Sequence, residues 1–242
     1  MNGHRKASTT PAPGFLGSTS SSDDYIAAQR QHGFHDVAED DEATNDGREL
    51  FPVYPQHQIN AGAAILARFL EFPFFESFID DLHRNAIGVS LISPWIIDIC
   101  NSIKTDLYEP LLQSLERNGD GSLQHDRMQE HLSRRLFRNT SSALEYDGHC
   151  SLKHFASLFT GQNLRWEAVG MFFTAVGLGV INVRSYGGLS LRQRAVLARR
   201  MLEGGQICLS FAEKTGHMVD PEIWLSLELS HLASVIEGDS SG

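Results

Sequence analysis

The stretch that decides the fold is residues 151–181, SLKHFASLFTGQNLRWEAVGMFFTAVGLGVI. Leu152, Phe155, Leu158 and Phe159 recur at helical spacing and form one short helix, and Trp166, Val169, Phe172, Phe173 and Val176 stripe the next. Between them Thr160-Gly161 ends the first helix and Asn163 is placed to cap the second. The pair carries the richest apolar content of the chain and is expected to be its most buried part. Gly177-Leu178-Gly179 falls within an apolar helix rather than after a strand, so it reads as packing and not as a phosphate-binding turn.

Working outward, Ile59, Ala63, Leu66, Phe69 and Leu70 share one stripe of a core-facing helix. Phe74, Phe78, Ile79 and Leu82 form the apolar face of another, with Pro73 early in it, and the two are expected to pack as a hairpin. Ser93-Pro94 opens a third helix through Trp95, Ile99 and Ile103 towards Leu115, which Asn118-Gly119-Asp120-Gly121 stops. Leu123 to Arg138 is polar on most faces and keeps Leu132, Leu136 and Phe137, the pattern of a helix lying on the surface, and Asn139 to Gly148 is a turn-rich connection. Leu189 to Thr215 and Pro221 to Ile236 read as two more helices, the second capped by Asp220 with Pro221 at its first position and Trp224 within it. Strand alternation and a fixed-period repeat are both missing, so the fold class is all-α, an irregular multi-helix bundle over residues 51–242.

Residues 1–50 differ in kind. The run Ser18-Thr19-Ser20-Ser21-Ser22 and the acidic block Asp36 to Glu49 bury too little apolar surface to offset the entropy of ordering, which predicts a disordered tail. Over the whole chain, 30 acidic residues against 20 Lys and Arg give a formal charge of −10, which disfavours adhesion to bare nucleic acid or anionic lipid. Cys100, Cys150 and Cys208 are far apart and read as reduced thiols of a cell interior. Met1 to Arg30 has no apolar leader, and Ala168 to Ile181 is too short and too interrupted by glycine to span a bilayer.

Candidate chemistry is sparse. Asn118, Asp120, Gly121 and Leu123 match an EF-hand loop, but Glu116 and Arg127 occupy its end positions, and a cation in place of the bidentate ligand repels calcium. His32 and His35 supply half of a tetrahedral site, and His125 and His131 point to nearly opposite sides of a helix and read as surface residues. Asp80-Asp81 lacks the further carboxylates that a magnesium-diphosphate clamp needs. Arg134, Arg135 and Arg138, and later Arg192, Arg194, Arg199 and Arg200, read as solvated helix faces with acidic partners. No catalytic, metal or cofactor site is expected, and the chain is read as no enzyme.

One pattern is more specific. Phe137-Arg138-Asn139-Thr140-Ser141, followed by Phe159-Thr160-Gly161-Gln162-Asn163-Leu164-Arg165-Trp166-Glu167-Ala168-Val169-Gly170, resembles the middle homology regulatory region of fungal zinc-cluster transcription factors. The segment Cys208 to Leu225, with Asp220 and Trp224, and the later Glu228 and Gly238-Asp239-Ser240 resemble that family's continuing pattern. Read from the residues themselves, Asn139, Thr140, Thr160, Gly161, Asn163, Leu164, Arg165, Trp166, Glu167 and Gly170 describe a corner fixed by packing, in which Arg165 and Glu167 flank a buried Trp166.

The resemblance implies regulation of RNA polymerase II transcription in a fungal nucleus through protein partners, other transcription factors, a second copy of the chain or an effector. The family's zinc belongs to a six-cysteine DNA-reading module that three separated cysteines cannot build, so this chain is expected to meet DNA only indirectly and no membrane. The family's helices also continue past the Gly-Asp-Ser element, so the domain is expected to be partial. Two other readings stand beside this one: a helical small-molecule sensor with its pocket between the Trp166 and Trp224 helices, and a truncated gene product without an independent role.

Overall fold

A computed structural model describes residues 54–70, 93–118, 123–146, 149–182, 188–215 and 219–239. The tail, the Pro73 helix and Asp80-Asp81 lie outside the described residues. In chain order the helices are α1 (Gln56–Leu70), α2 (Ser93–Ile103), α3 (Glu109–Asn118), α4 (Leu123–Ser141), α5 (Leu152–Ser157), α6 (Trp166–Asn182), α7 (Leu191–Glu213) and α8 (Asp220–Asp239). A π turn, Lys104–Tyr108, joins α2 to α3, and a 3₁₀ turn, Gly161–Asn163, precedes α6. Among the described residues there is no strand, and the fold is all-α. These helices belong to one compact unit; Tyr146 to Cys150 fall in a second whose other residues are not described.

The centre of the unit is α6. Every residue from Trp166 to Val180 is buried, because α7 and α8 cover it on one side while α2 and α4 cover it on others. A helix apolar on all faces has no solvent side to offer, and this one is wrapped accordingly. α7 is capped by Ser190, whose side chain accepts from the Gln193 backbone while the Gln193 side chain accepts from the Ser190 backbone, so two of the N–H groups at this helix start are satisfied reciprocally. α8 starts one residue earlier than its sequence suggests. The Val219 carbonyl receives the Glu222 and Ile223 N–H groups, which places Asp220 inside the helix rather than at its cap.

Aromatic rings lock the remaining helices onto this centre. Phe69 of α1 lies against Phe172 and Phe173, with centroids 5.6 and 5.1 Å away. Phe137 of α4 meets Tyr54, Trp166 and Phe211 at 5.0, 5.3 and 5.0 Å. Trp95 of α2 stacks on Trp224 of α8 at 4.5 Å and 8°, with Phe155 of α5 edge-on to the Trp224 ring. Such pairs add about 0.5–1.5 kcal/mol each beyond the area they bury.

The α2–α3 junction shows a local sequence cause. Pro110 has no N–H to give the Asp106 carbonyl four residues earlier, and the Glu109 N–H reaches back five residues to the Lys104 carbonyl, which makes the π turn. The Asp106 carbonyl is thereby freed for Arg135 of α4, 2.9 Å away. A helix that the sequence reads as continuous is therefore interrupted by a proline whose effect is to create a tertiary hydrogen bond.

α4 departs further from its sequence reading. It runs on through Asn139, Thr140 and Ser141 instead of ending at Arg138, and His125, Leu132, Ser133, Leu136, Phe137 and Thr140 are buried on it. The polar residues that gave it a surface pattern include several buried by hydrogen bonding: Ser133 donates to the Ile59 carbonyl of α1 at 2.9 Å. Periodicity counts Ser, Thr and His as solvent-facing, whereas burial tolerates them when a partner is supplied.

Close approach between α6 and α8 depends on glycine. A methyl group at Gly170 would lie 2.6 and 2.8 Å from the Leu225 methyls and 3.1 Å from Cys208 Cβ. Leu225 is fully buried and has little room to retreat. Gly170→Ala is expected to destabilise by about 1–3 kcal/mol through overpacking. In a double-mutant cycle read by urea unfolding, Leu225→Ala should recover part of that loss; strictly additive losses would show that the contact is not the cause.

Candidate functional site

The two motif segments that stand apart in sequence meet at one corner. Residues 158–165 carry the chain from α5 to α6 past the C-terminal end of α4, through a left-handed Gly161 with φ of 61°. Glycine adopts that conformation without steric cost. The Gly161 N–H donates to Ser102 Oγ of α2 at 2.9 Å, and Thr160 Oγ1 donates to the Ala156 carbonyl at 2.8 Å. Asn163 does not cap α6 as its position suggested. Its amide donates to the Ser157 carbonyl at 2.9 Å and closes the loop behind α5 instead.

The cap of α6 comes from another helix. Thr140 Oγ1 accepts from the Trp166 N–H at 2.9 Å and donates to Glu167 Oε2 at 3.2 Å. Asn139 Nδ2 donates to the Gln162 and Leu164 carbonyls, both at 2.8 Å. The end of α4 and the start of α6 are therefore one hydrogen-bonded unit, each supplying groups that the other leaves unpaired.

Arg165 and Glu167 sit at its centre, each only 1% exposed. Arg165 Nη1 donates to the Asn139 and Ser142 carbonyls at 2.7 Å each, and Nη2 donates to the Thr140 carbonyl at 2.6 Å and to Glu167 Oε1 at 3.0 Å. Nε donates to Glu167 Oε1 at 3.2 Å. Every N–H of the guanidinium is used. The cation lies where the carbonyls at the end of α4 concentrate negative potential, which offsets part of its desolvation.

The arrangement holds structure and has no donor left over for a ligand. A cavity of about 280 Å³ borders it, lined by Asn139, Ser142, Leu144, Glu145, Leu158 and Arg165, but the guanidinium facing it is saturated. Trp166 is fully buried against Phe137 and Phe211, and Leu164 beside it is fully buried too. Gly170 lies a turn further along α6, on the α8 contact, and Trp224 joins through Phe155 and Phe159 at 5.6 and 6.3 Å.

Several other expectations are revised. At the glycine contacts between α6 and α8 the side chains of Leu225 and Leu232 fill the crossing, since methyl groups at Gly170 and Gly177 would overlap them. His125 is buried rather than superficial. The Ser114 hydroxyl donates to the Leu111 carbonyl at 2.7 Å, so its oxygen accepts from His125 Nδ1 at 2.7 Å, and the Gln129 amide donates to Nε2 at 2.9 Å. This chain of bonds pins the start of α4 to α3. Arg194 is buried too, donating to the Val180 carbonyl at 2.6 Å and to the Ile181 carbonyl. It caps the end of α6, a role that no spacing in the sequence announces.

Among the described residues no three His, Cys, Asp or Glu side chains are grouped to hold a metal ion. Cys100 and Cys208 are buried free thiols, and loss of hydration raises both well above the ordinary thiol range, which keeps them unreactive. No helix among the described residues is long and apolar enough to cross a membrane.

Two predictions test the corner. Glu167→Gln or Arg165→Met strands a buried charge and should cost about 3–5 kcal/mol, and Arg165→Lys should fail to restore stability because an ammonium cannot reproduce the fork. Chemical denaturation reads all three, and a loss under 1 kcal/mol would remove the pair from its central place. Glu222 provides the second test: partial burial and the nearby charges of Glu167 and Glu213 raise its pKa. The folded state thus binds this proton more tightly, so its contribution falls as pH rises from the ordinary glutamate range through the raised value. Glu222→Gln should raise the melting temperature at pH 7 relative to wild type, with the difference vanishing below the ordinary glutamate range. A difference independent of pH would contradict this.

Comparison with family models, with curated proteins and with solved structures finds no match to this chain.

Proposed function

We propose that this chain is the helical regulatory domain of a fungal transcription-factor-like protein, acting in the nucleus on RNA polymerase II transcription through protein or effector contacts. It meets DNA only through partners and is not a catalyst. The observation that supports the reading is the corner itself. The residues that make the sequence pattern resemble that family, Asn139, Thr140, Arg165, Trp166 and Glu167, join α4 to α6 in one buried hydrogen-bonded unit. That the two motifs, separated in sequence, meet in a single network supports reading them as one unit of architecture.

The charge balance agrees with contact through proteins. A net charge of −10 repels phosphate at long range. The arginines at 134 and 135 are engaged, Arg134 with Glu130 and Gln56 and Arg135 with the Asp106 carbonyl.

The full chain, joined to a heterologous DNA-binding domain in a fungal host, is expected to alter transcription of a reporter carrying the matching sites and to accumulate in the nucleus. Arg165→Met in the same fusion should abolish the effect by unfolding the corner. A fusion that stays folded, sits at the promoter and leaves reporter output unchanged, together with a cytoplasmic untagged chain, would overturn the reading.

A further inference from the structure

α6 is apolar all round and buried all round, whereas α8 is apolar on two opposite sides and buried on one. Leu225, Leu229, Leu232 and Ile236 form its inward side. On the outward side Ile223 and Leu227 are 45% and 57% exposed, and the exposed Ser230 and Ser234 continue the same stripe at helical spacing. A surface helix ordinarily turns a charged face to water, so an outer stripe of this kind marks a face made for contact. Its serines suit contact as well: Ser230 Oγ donates to the Ser226 carbonyl and Ser234 Oγ to the Ser230 carbonyl, both at 2.9 Å, so their hydroxyl protons are satisfied within the helix.

The charges around the stripe indicate what covers it. α8 carries Asp220, Glu222 and Glu237 beside the stripe and contains no Lys or Arg. α7, packed against α8, turns Arg192, Arg199 and Arg200 outward around Val196, which is itself 45% exposed, with Glu203 as the acid that follows them. The two helices run antiparallel over α6. A methyl group at Gly170 would meet both Leu225 and Cys208, and one at Gly177 both Leu232 and Met201. Counting along the helices from these two points puts the half-buried Ile207 level with Leu227, and Val196 level with Glu237. The outer surface of the pair therefore has an apolar half around Ile207 and Leu227 and a charged half in which α7 is basic and α8 acidic.

We propose that this surface joins two copies of the chain, α7 of each lying on α8 of the other about a twofold axis parallel to the helices. Leu227 then rests on Ile207 of the second copy, and Glu237 lies among Arg192, Arg199 and Arg200 of the second copy, each contact being made twice. A surface that holds both signs side by side is complementary to itself in this arrangement, whereas α8 on α8 would set acid against acid and α7 on α7 base against base. The inference goes beyond the regulatory reading and does not rest on it.

Sedimentation equilibrium of the full chain should give twice the 26.9 kDa of one copy. Leu227→Glu should yield a monomer that still melts cooperatively, while Leu123→Glu, at another exposed leucine on α4, should leave the dimer intact. The double variant Arg199→Glu, Arg200→Glu and, separately, Glu237→Arg should each weaken association at least about tenfold. An equimolar mixture of those two proteins should restore it, because both α7–α8 contacts of the mixed dimer then pair opposite charges. The mixture also decides the matter if Leu227→Glu does not fold. A wild-type chain that stays monomeric at about 0.1 mM, a dimer indifferent to Leu227→Glu, or a mixture that associates no better than its components would each overturn the proposal.

Discussion

The buried Arg165–Glu167 pair and the α4 carbonyls around it are the constraint on which this structure depends. α6 is the core of the unit, and a core helix must enter the interior without leaving its first N–H groups or its flanking charges unpaired. Here the entry is made by a segment that contains an arginine and a glutamate two residues apart, both inaccessible to solvent. In an apolar surround that would be a large cost. It is offset because α4 ends at the same place and presents the carbonyls of Asn139, Thr140 and Ser142. The polar needs of one helix end are the polar resources of the other.

That solution fixes the relative placement of α4 and α6, and much follows from it. With α4 held at its C-terminal end, Phe137 is delivered against Trp166 and Phe211, and Ser133 reaches the Ile59 carbonyl of α1. Arg135 meets the carbonyl that Pro110 leaves free on the α2–α3 junction. At the other end of α6, Arg194 of α7 repeats the device with one difference: it takes the terminal carbonyls but has no acidic partner among the described residues. Two arginines thus bracket the most apolar helix of the chain. The one at the start has every donor engaged inside the protein, and the one at the end closes the terminal carbonyls of Val180 and Ile181.

The glycines of α6 complete the design from the apolar side. Leu225 and Leu232 of α8 occupy the space above Gly170 and Gly177, so the two helices are in direct contact there. Aromatic contacts then hold α2 and α5 to the outer face of α8, through Trp95, Phe155 and Trp224.

The sequence by itself determined the helical class, the placement of α1, α6, α7 and α8 to within a few residues, and the burial of Trp166, although the short helix before α6 ends at Ser157 rather than at Thr160-Gly161. These follow from local periodicity and from residues with restricted backbone behaviour, which act over a few positions along the chain. Only the tertiary structure decided that α4 continues through Asn139 and Thr140, that its polar face is half interior, that Thr140 rather than Asn163 caps α6, and that His125 and Arg194 are buried. In each of these cases a polar side chain is satisfied by a group distant in sequence, such as a carbonyl at a helix end or a hydroxyl on another helix. Composition and spacing register such a residue as polar and assign it to solvent, because whether a donor faces water or a buried acceptor is settled only when the helices have packed.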